Sequence, residues 1–377
     1  MVQIIREAAL RRGLLPSGAR IRLRPEGILW GESAARLIGA GAARPLAGGP
    51  GAFTSVELIA RSDEAIHLIG PVPVADAEDW AEEEGFGDVV VQELAALIAF
   101  RPALCGLPQD RPLVMGIVNV TPDSFSDGGD FADRDVAVDH AFELLMQGAD
   151  ILDIGGESTR PGADPVPVAE ELRRVVPVIE GIRSRAGAKR PVISVDTRRP
   201  AVMRAALDAG ADIVNDVTGL KDPESRRIVA EAGVPAMLMH MRGEPQSMQT
   251  EAVYDFSPLE MVEELERRVL DAERDGIARG RIIADPGVGF AKNVTHNLEV
   301  LARLGLLHSL GCPILLGVSR KRFIGALSRD EPAKQRVPGS LAAALAGVEK
   351  GVQMVRVHDV AETVQALKIW AGIAGER

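Results

Sequence analysis

Cysteine is almost absent from this chain of 377 residues: Cys105 and Cys312 stand far apart and outside any CxxC pair. That argues against a disulfide framework or a paired-cysteine zinc site. Cationic charge is in deficit, with 43 Lys and Arg against 54 Asp and Glu and a net charge of −11. An anionic membrane or a nucleic acid is therefore not the default partner. A small anionic substrate stays open, because a local Arg and Lys cluster can hold phosphate inside an acidic protein. No apolar run approaches the ~18 residues of a membrane-spanning helix. The opening MVQIIREAALRRGLL also lacks the sustained apolar core of a signal peptide. The expectation is a cytoplasmic protein.

What is present is ordinary globular material, 46% hydrophobic and 26% charged. The length suits one large domain plus something smaller. Residues 1–105 form a segment of their own. IRLRPEGILW and FTSVELIAR look like strands, GESAARLIGAG and VVVQELAALIAF look helical, and no chemical motif stands among them. Pro102, Pro108 and Pro112 punctuate the passage into the rest.

From residue 112 to 375 a rhythm takes over. Eight short apolar runs recur: LVMGIVN, DILDIG, PVISVD, DIVND, PAMLMH, RIIADPG, PILLGVS and VQMVRVHD. Amphipathic helical stretches separate them. Apolar strands alternating with helices predict a parallel sheet with crossover helices, and eight repeats over this length predict a (β/α)8 TIM barrel of α/β class. An open doubly wound sheet would carry GxGxxG after its first strand, and that fingerprint is missing.

A barrel of this kind puts its active site at the C-terminal ends of its strands. This sequence places a functional side chain at each of them: Asn119, the GGESTRPG stretch with Glu157, Thr159 and Arg160, then Asp196, Asn215 and Asp216, His240, Asp285, the Ser319-Arg320-Lys321 run, and Arg356 with His358. Any one of them could simply cap a helix, but Lys, Arg and His are not N-cap residues. Barrel closure makes the last and first strands neighbours, so Asn119, Arg356 and His358 should converge. That set suits an oxyanion with a divalent metal, with Asp127 of the loop TPDSFSDGG as a second metal ligand. Opposite them, Asp196, Asn215, Asp285 and Lys321 suit a flat heterocycle rich in N–H donors. Phe125, Phe131, Phe290 and Phe323 could wall a planar ligand in a chain only 3% aromatic.

The stretches MGIVNVTPDSFSDGG and DILDIGGESTRPGA resemble the two signatures of the dihydropteroate synthase family, and DPGVGF, GVSRKRFIG and the closing VRVHDV are similar as well. The resemblance implies a (β/α)8 transferase of folate biosynthesis and a sulfonamide target. It would condense (7,8-dihydropterin-6-yl)methyl diphosphate with 4-aminobenzoate. It implies Mg²⁺ at Asn119 and Asp127, diphosphate at Arg356 and His358, and pterin at Asp196, Asn215, Asp285 and Lys321. Thr159 would be a further substrate contact, while Arg160, Pro161 and Phe290 would border the aminobenzoate. The catalytic set is then Asn119, Asp127, Lys321, Arg356 and His358, in a possible homodimer. Ala291 and Asn293 depart from a common family form, and residues 1–105 exceed the family's short N-terminal segment. The other readings are a methyltransferase that binds methyltetrahydrofolate in a similar barrel, and a non-catalytic pterin-binding paralogue.

Overall fold

A computed structural model describes residues 2–120, 130–158, 165–244, 248 and 250–375, and for 130–133 the backbone alone. The first hundred residues run β1 Gln3–Glu7, β2 Arg20–Leu29, α1 Gly31–Gly39, β3 Arg44–Pro45, β4 Ala52–Arg61, β5 Ala65–Pro73, α2 Val74–Glu84 and α3 Gly87–Ile98. The sheet order is β1-β5-β4-β2, with β3 also on β4, and only the β1–β5 pair is parallel. Strand β4 alternates, as a strand buried on both faces must. Val56, Leu58 and Ala60 join Trp80, Val90 and Leu94 of α2 and α3 in one apolar cluster. Ile59, with Ile66 and Leu68 of β5, belongs instead to the large cluster of the second sheet and its helices.

That second sheet is the eightfold repeat. Its strands are β6 Leu113–Asn119, β7 Ile151–Gly155, β8 Val192–Asp196, β9 Ile213–Asp216, β10 Ala236–Met239, β11 Ile282–Asp285, β12 Leu315–Leu316 and β13 Met354–Val357. The helices between and after them are α4 Asp130–Gln147, α5 Val168–Ala186, α6 Pro200–Asp208, α7 Pro223–Ala232, α8 Ser257–Arg274, α9 Val294–Ala302, α10 Arg322–Leu327, α11 Val337–Val348 and α12 Val360–Gly375. All pairings are parallel in the order β11-β10-β9-β8-β7-β6-β13-β12. A single bridge between Ala284 and Ile314 joins the two ends, with Ala284 N–H donating to the Pro313 carbonyl at 2.8 Å. The sheet is a (β/α)8 TIM barrel.

The barrel's floor is one apolar layer. Met115, Ile151, Val192, Ile213, Met237, Ile283, Leu315 and Met354 each come from a different strand and cluster with Leu113 and Leu104. Leu104 lies in the segment before β6, so residues that precede the barrel close its bottom. Among the described residues no helix is long and apolar enough to cross a membrane.

Candidate active site

Above that floor the inward positions turn polar. A strand returns to the same face every second residue. Two residues beyond Ile151, Val192, Ile213, Ile283 and Met354 stand Asp153, Ser194, Asn215, Asp285 and Arg356. Asp196 is one step higher, beside Asn215 in register. Asp153, Ser194, Asn215, Asp285 and Asp196 are all buried. Strand alternation thus raises a ring of polar groups directly on the apolar layer, at the C-terminal end of the barrel.

Arg356 ties this ring together. Its Nε donates to Asp153 Oδ2 at 2.6 Å and its Nη2 donates to Asp196 Oδ2 at 2.7 Å. Asn215 Nδ2 donates to the same Asp153 oxygen at 3.1 Å. Burial pushes the Asp196 carboxyl above the ordinary aspartate range, against the pull of Arg356, and the carboxylates of Asp153 and Glu171 push the same way. Burial also raises Asp285, while the Gly287 N–H, donating to its Oδ1 at 2.7 Å, and Lys321 oppose the rise. Asp153 Oδ1 and Asp196 Oδ1 are buried with no hydrogen-bond partner among the described residues. A buried carboxyl oxygen in such a setting can accept a hydrogen bond from an N–H donor.

On the rim, Lys321 Nζ lies 4.1 Å from the centroid of the Phe290 ring, a cation over an aromatic face. Across the mouth, His358 Nδ1 is 2.9 Å from Ser319 Oγ. Asn119 and His358 share the wall of a cavity of about 570 Å³ with Ile117, Arg320 and the α4 residues Val136, Asp139, His140 and Glu143. That volume is typical of a small-molecule site. Arg320 is ion-paired to Asp359. Asn119 and His358 therefore line one cavity, whereas the contacts of Arg356 lie with Asp153 and Asp196. Asp127, Thr159, Arg160 and Pro161 lie outside the described residues.

Three strand-end residues are engaged within the fold. Asp216 accepts from Thr218 N, Thr218 Oγ1 and Leu220 N, a turn-closing role. Glu157 pairs with Arg198 and accepts from Val166 N. His240 is bonded to Glu264 and Lys292. Sequence reasoning missed Asp153, although an Asp in the middle of the apolar run DILDIG was a readable signal: a charge at an inward position needs a partner.

Among the described residues no three His, Cys, Asp or Glu side chains gather as a metal cage. The site still fits Mg²⁺, which takes few protein ligands and completes its shell with water and phosphate oxygens. Asn119 offers one amide oxygen on the cavity wall.

Residues 115–358 match the model of the family described as pterin binding enzyme. Dihydropteroate synthase from Escherichia coli is 46% identical over 263 residues, spanning 70% of this chain and 92% of that protein. A probable bifunctional folylpolyglutamate synthase/dihydropteroate synthase of Haloferax volcanii is 49% identical over 264 residues, but the match spans only 30% of it. Among solved structures, Xanthomonas albilineans dihydropteroate synthase with 4-aminobenzoic acid superposes with a TM-score of 0.66 at 50% identity, covering 70% of this chain and 93% of that one. The same enzyme in complex with 7,8-dihydropteroate gives 0.64 at 48% identity, covering 71% and 95%.

Proposed function

The chain belongs to the pterin-binding enzyme family, and we propose that its barrel mouth divides one condensation between two corners. The activity is that of a dihydropteroate synthase, a transferase of folate biosynthesis. In this reading the pterin lies on the polar ring, with Asp196 and Asp285 accepting from its ring N–H groups and Asn215 and Lys321 fixing its other edge. Arg356 stands between the corners, holding the floor of the pterin site and facing the departing diphosphate. His358, oriented by Ser319, donates to that diphosphate. Asn119, with Asp127, would hold Mg²⁺, which supplies charge neutralisation to the leaving group. Thr159 contacts substrate, while Phe290 and Arg160 border the aminobenzoate.

The chemistry follows from these charges. Departure of diphosphate leaves positive charge on the pterin methylene, and carboxylates on the ring N–H groups favour its spread into the ring. The arylamine nitrogen is nucleophilic near neutral pH, so positioning carries much of the rate and no strong base is required. The observation that supports the reading best is the buried Asp196 Oδ1, which has no hydrogen-bond partner among the described residues while Arg356 holds the other oxygen of the same carboxyl. A homodimer in the cytoplasm is part of the proposal, supported by Ile369 and Ile373, which α12 leaves exposed.

The test is diphosphate release from the pterin diphosphate, with and without 4-aminobenzoate and Mg²⁺. Release is expected only with all three together, and chelation should abolish it. A chain that releases nothing under any condition sinks the reading, and pterin binding independent of Mg²⁺ favours the methyltransferase.

A further inference from the structure

Beside the pterin corner lies a buried lysine that the roles above leave unused. Lys292 is 3% exposed. Its Nζ is 2.8 Å from His240 Nδ1, 3.1 Å from the carbonyl oxygens of Gly287 and Phe290, and 3.5 Å from that of His240. Burial pulls its pKa down to about 7, and in either protonation state the amino nitrogen has N–H protons to donate. Every one of these neighbours is an acceptor, and all come from the chain just after β10 or just after β11.

The histidine is set to receive it. His240 Nε2 lies 3.1 Å from Glu264 Oε2 on α8. Burial pushes the His240 pKa down to about 3, helped by the charge on Lys292, so the ring is neutral. With Nε2–H donating to the carboxylate, Nδ1 keeps its lone pair for Lys292. A chain of contacts thus runs from α8 through His240 into the turn after β11.

That turn needs a tether. Gly287, Gly289 and Ala291 all have positive φ, at 61°, 85° and 48°. Gly287 passes so close to β10 that a Cβ there would stand 2.0 Å from the His240 carbonyl oxygen. The chain's single tyrosine adds a second tie, Tyr254 Oη donating to the Ala291 carbonyl at 3.0 Å. The carbonyls of residues 287, 290 and 291 are all held by side chains. Phe290 sits among them with its ring against Lys321.

We propose that Lys292 is a positioning residue: by gripping the Gly287 and Phe290 carbonyls it fixes the Phe290 ring, and so sets the fit of the aromatic amine substrate. The assignment rests on the reading above, in which Phe290 borders that substrate. It separates the two substrates, because the pterin carboxylates stand on the strands themselves and Phe290 stands on the tethered turn.

Lys292→Met keeps the chain length and removes the donors. The expected result is a KM for 4-aminobenzoate raised at least 10-fold, kcat falling less than KM rises, and a Kd for the pterin diphosphate within 3-fold of the parent. Lys292→Gln, which restores an N–H donor, should recover part of the KM. Should the Met variant fail to fold, Tyr254→Phe removes one tie without burying a loss of charge and should raise the same KM about 3-fold. An unchanged KM, or equal losses for both substrates, overturns the assignment. A parent chain that releases no diphosphate overturns the activity reading instead, which the variants cannot do.

Discussion

Asp153 is the residue on which the polar ring turns. One of its oxygens receives both Arg356 Nε and Asn215 Nδ2, at 2.6 and 3.1 Å. Arg356 in turn stays charged: burial works against it, but the carboxylates of Asp153 and Asp196 more than compensate, and its pKa is raised. Removing one member of a buried pair leaves the other exposed to a desolvation cost that nothing offsets. Asp153→Asn keeps the volume and loses the charge. It should cost about 2 kcal/mol of transition-state binding, roughly a 30-fold drop in kcat/KM for the pterin diphosphate. Steady-state kinetics beside a thermal melt checks this, since a melt that falls while kcat/KM holds would make Asp153 purely structural.

At the scale of elements, the turn after β11 is where backbone geometry decides most. Gly287 combines positive φ with a carbonyl 2.0 Å from any Cβ, and that neighbour is backbone, which cannot step aside. Gly289 has positive φ too, but a Cβ there would meet the Lys321 side chain at 3.2 Å, and a flexible chain can yield. Gly287→Ala should therefore lose about 3 kcal/mol or more of stability, and Gly289→Ala about 1 kcal/mol, read from denaturant midpoints. Equal losses would mean that φ alone matters and the contact with His240 does not. This turn also shows what was legible in the sequence. The eight barrel strands announced themselves through β-branched runs ending in polar residues, and β6, β8, β9 and β11 end at the residues read as strand ends: Asn119, Asp196, Asp216 and Asp285. The inward set Asp196, Asn215 and Asp285 followed from that alone. Lys292 did not, because a lysine after DPGVGF looks like a solvated loop charge until two strand ends fold around it. Strand β5 and helix α2 were missed as well: AIHLIGPVP carries Gly70 and Pro71, which read as breakers, and only its place between β4 and β1 makes it a strand.

For the whole molecule, the packing gives the first hundred residues a structural part. Arg101, 5% exposed, donates to the carbonyls of Ala96, Ala99, His308 and Cys312, so it fastens the end of α3 to the barrel's side. Arg22 and Arg61 pair with Glu266 and Glu263 on α8. Ile59, Ile66 and Leu68 are buried in the same cluster as the barrel helices, and Leu104 closes the barrel floor. Each such side chain contributes on the order of 2 kcal/mol when buried, so four together rival the ~5–15 kcal/mol that separates a folded domain from its unfolded chain. A fragment of residues 112–377 should therefore melt at least 10 °C below the full chain or aggregate, even though it holds every residue assigned to the reaction. In the full chain, Leu104→Asp isolates the plug. It should lower the melting temperature by several degrees through a carboxylate forced into an apolar layer, while the KM values of any folded enzyme stay put, because the floor lies a full layer below Asp153 and Arg356. A fragment 112–377 that melted and turned over like the full chain would make the N-terminal sheet an independent module, and its buried face against α8 would then need another explanation.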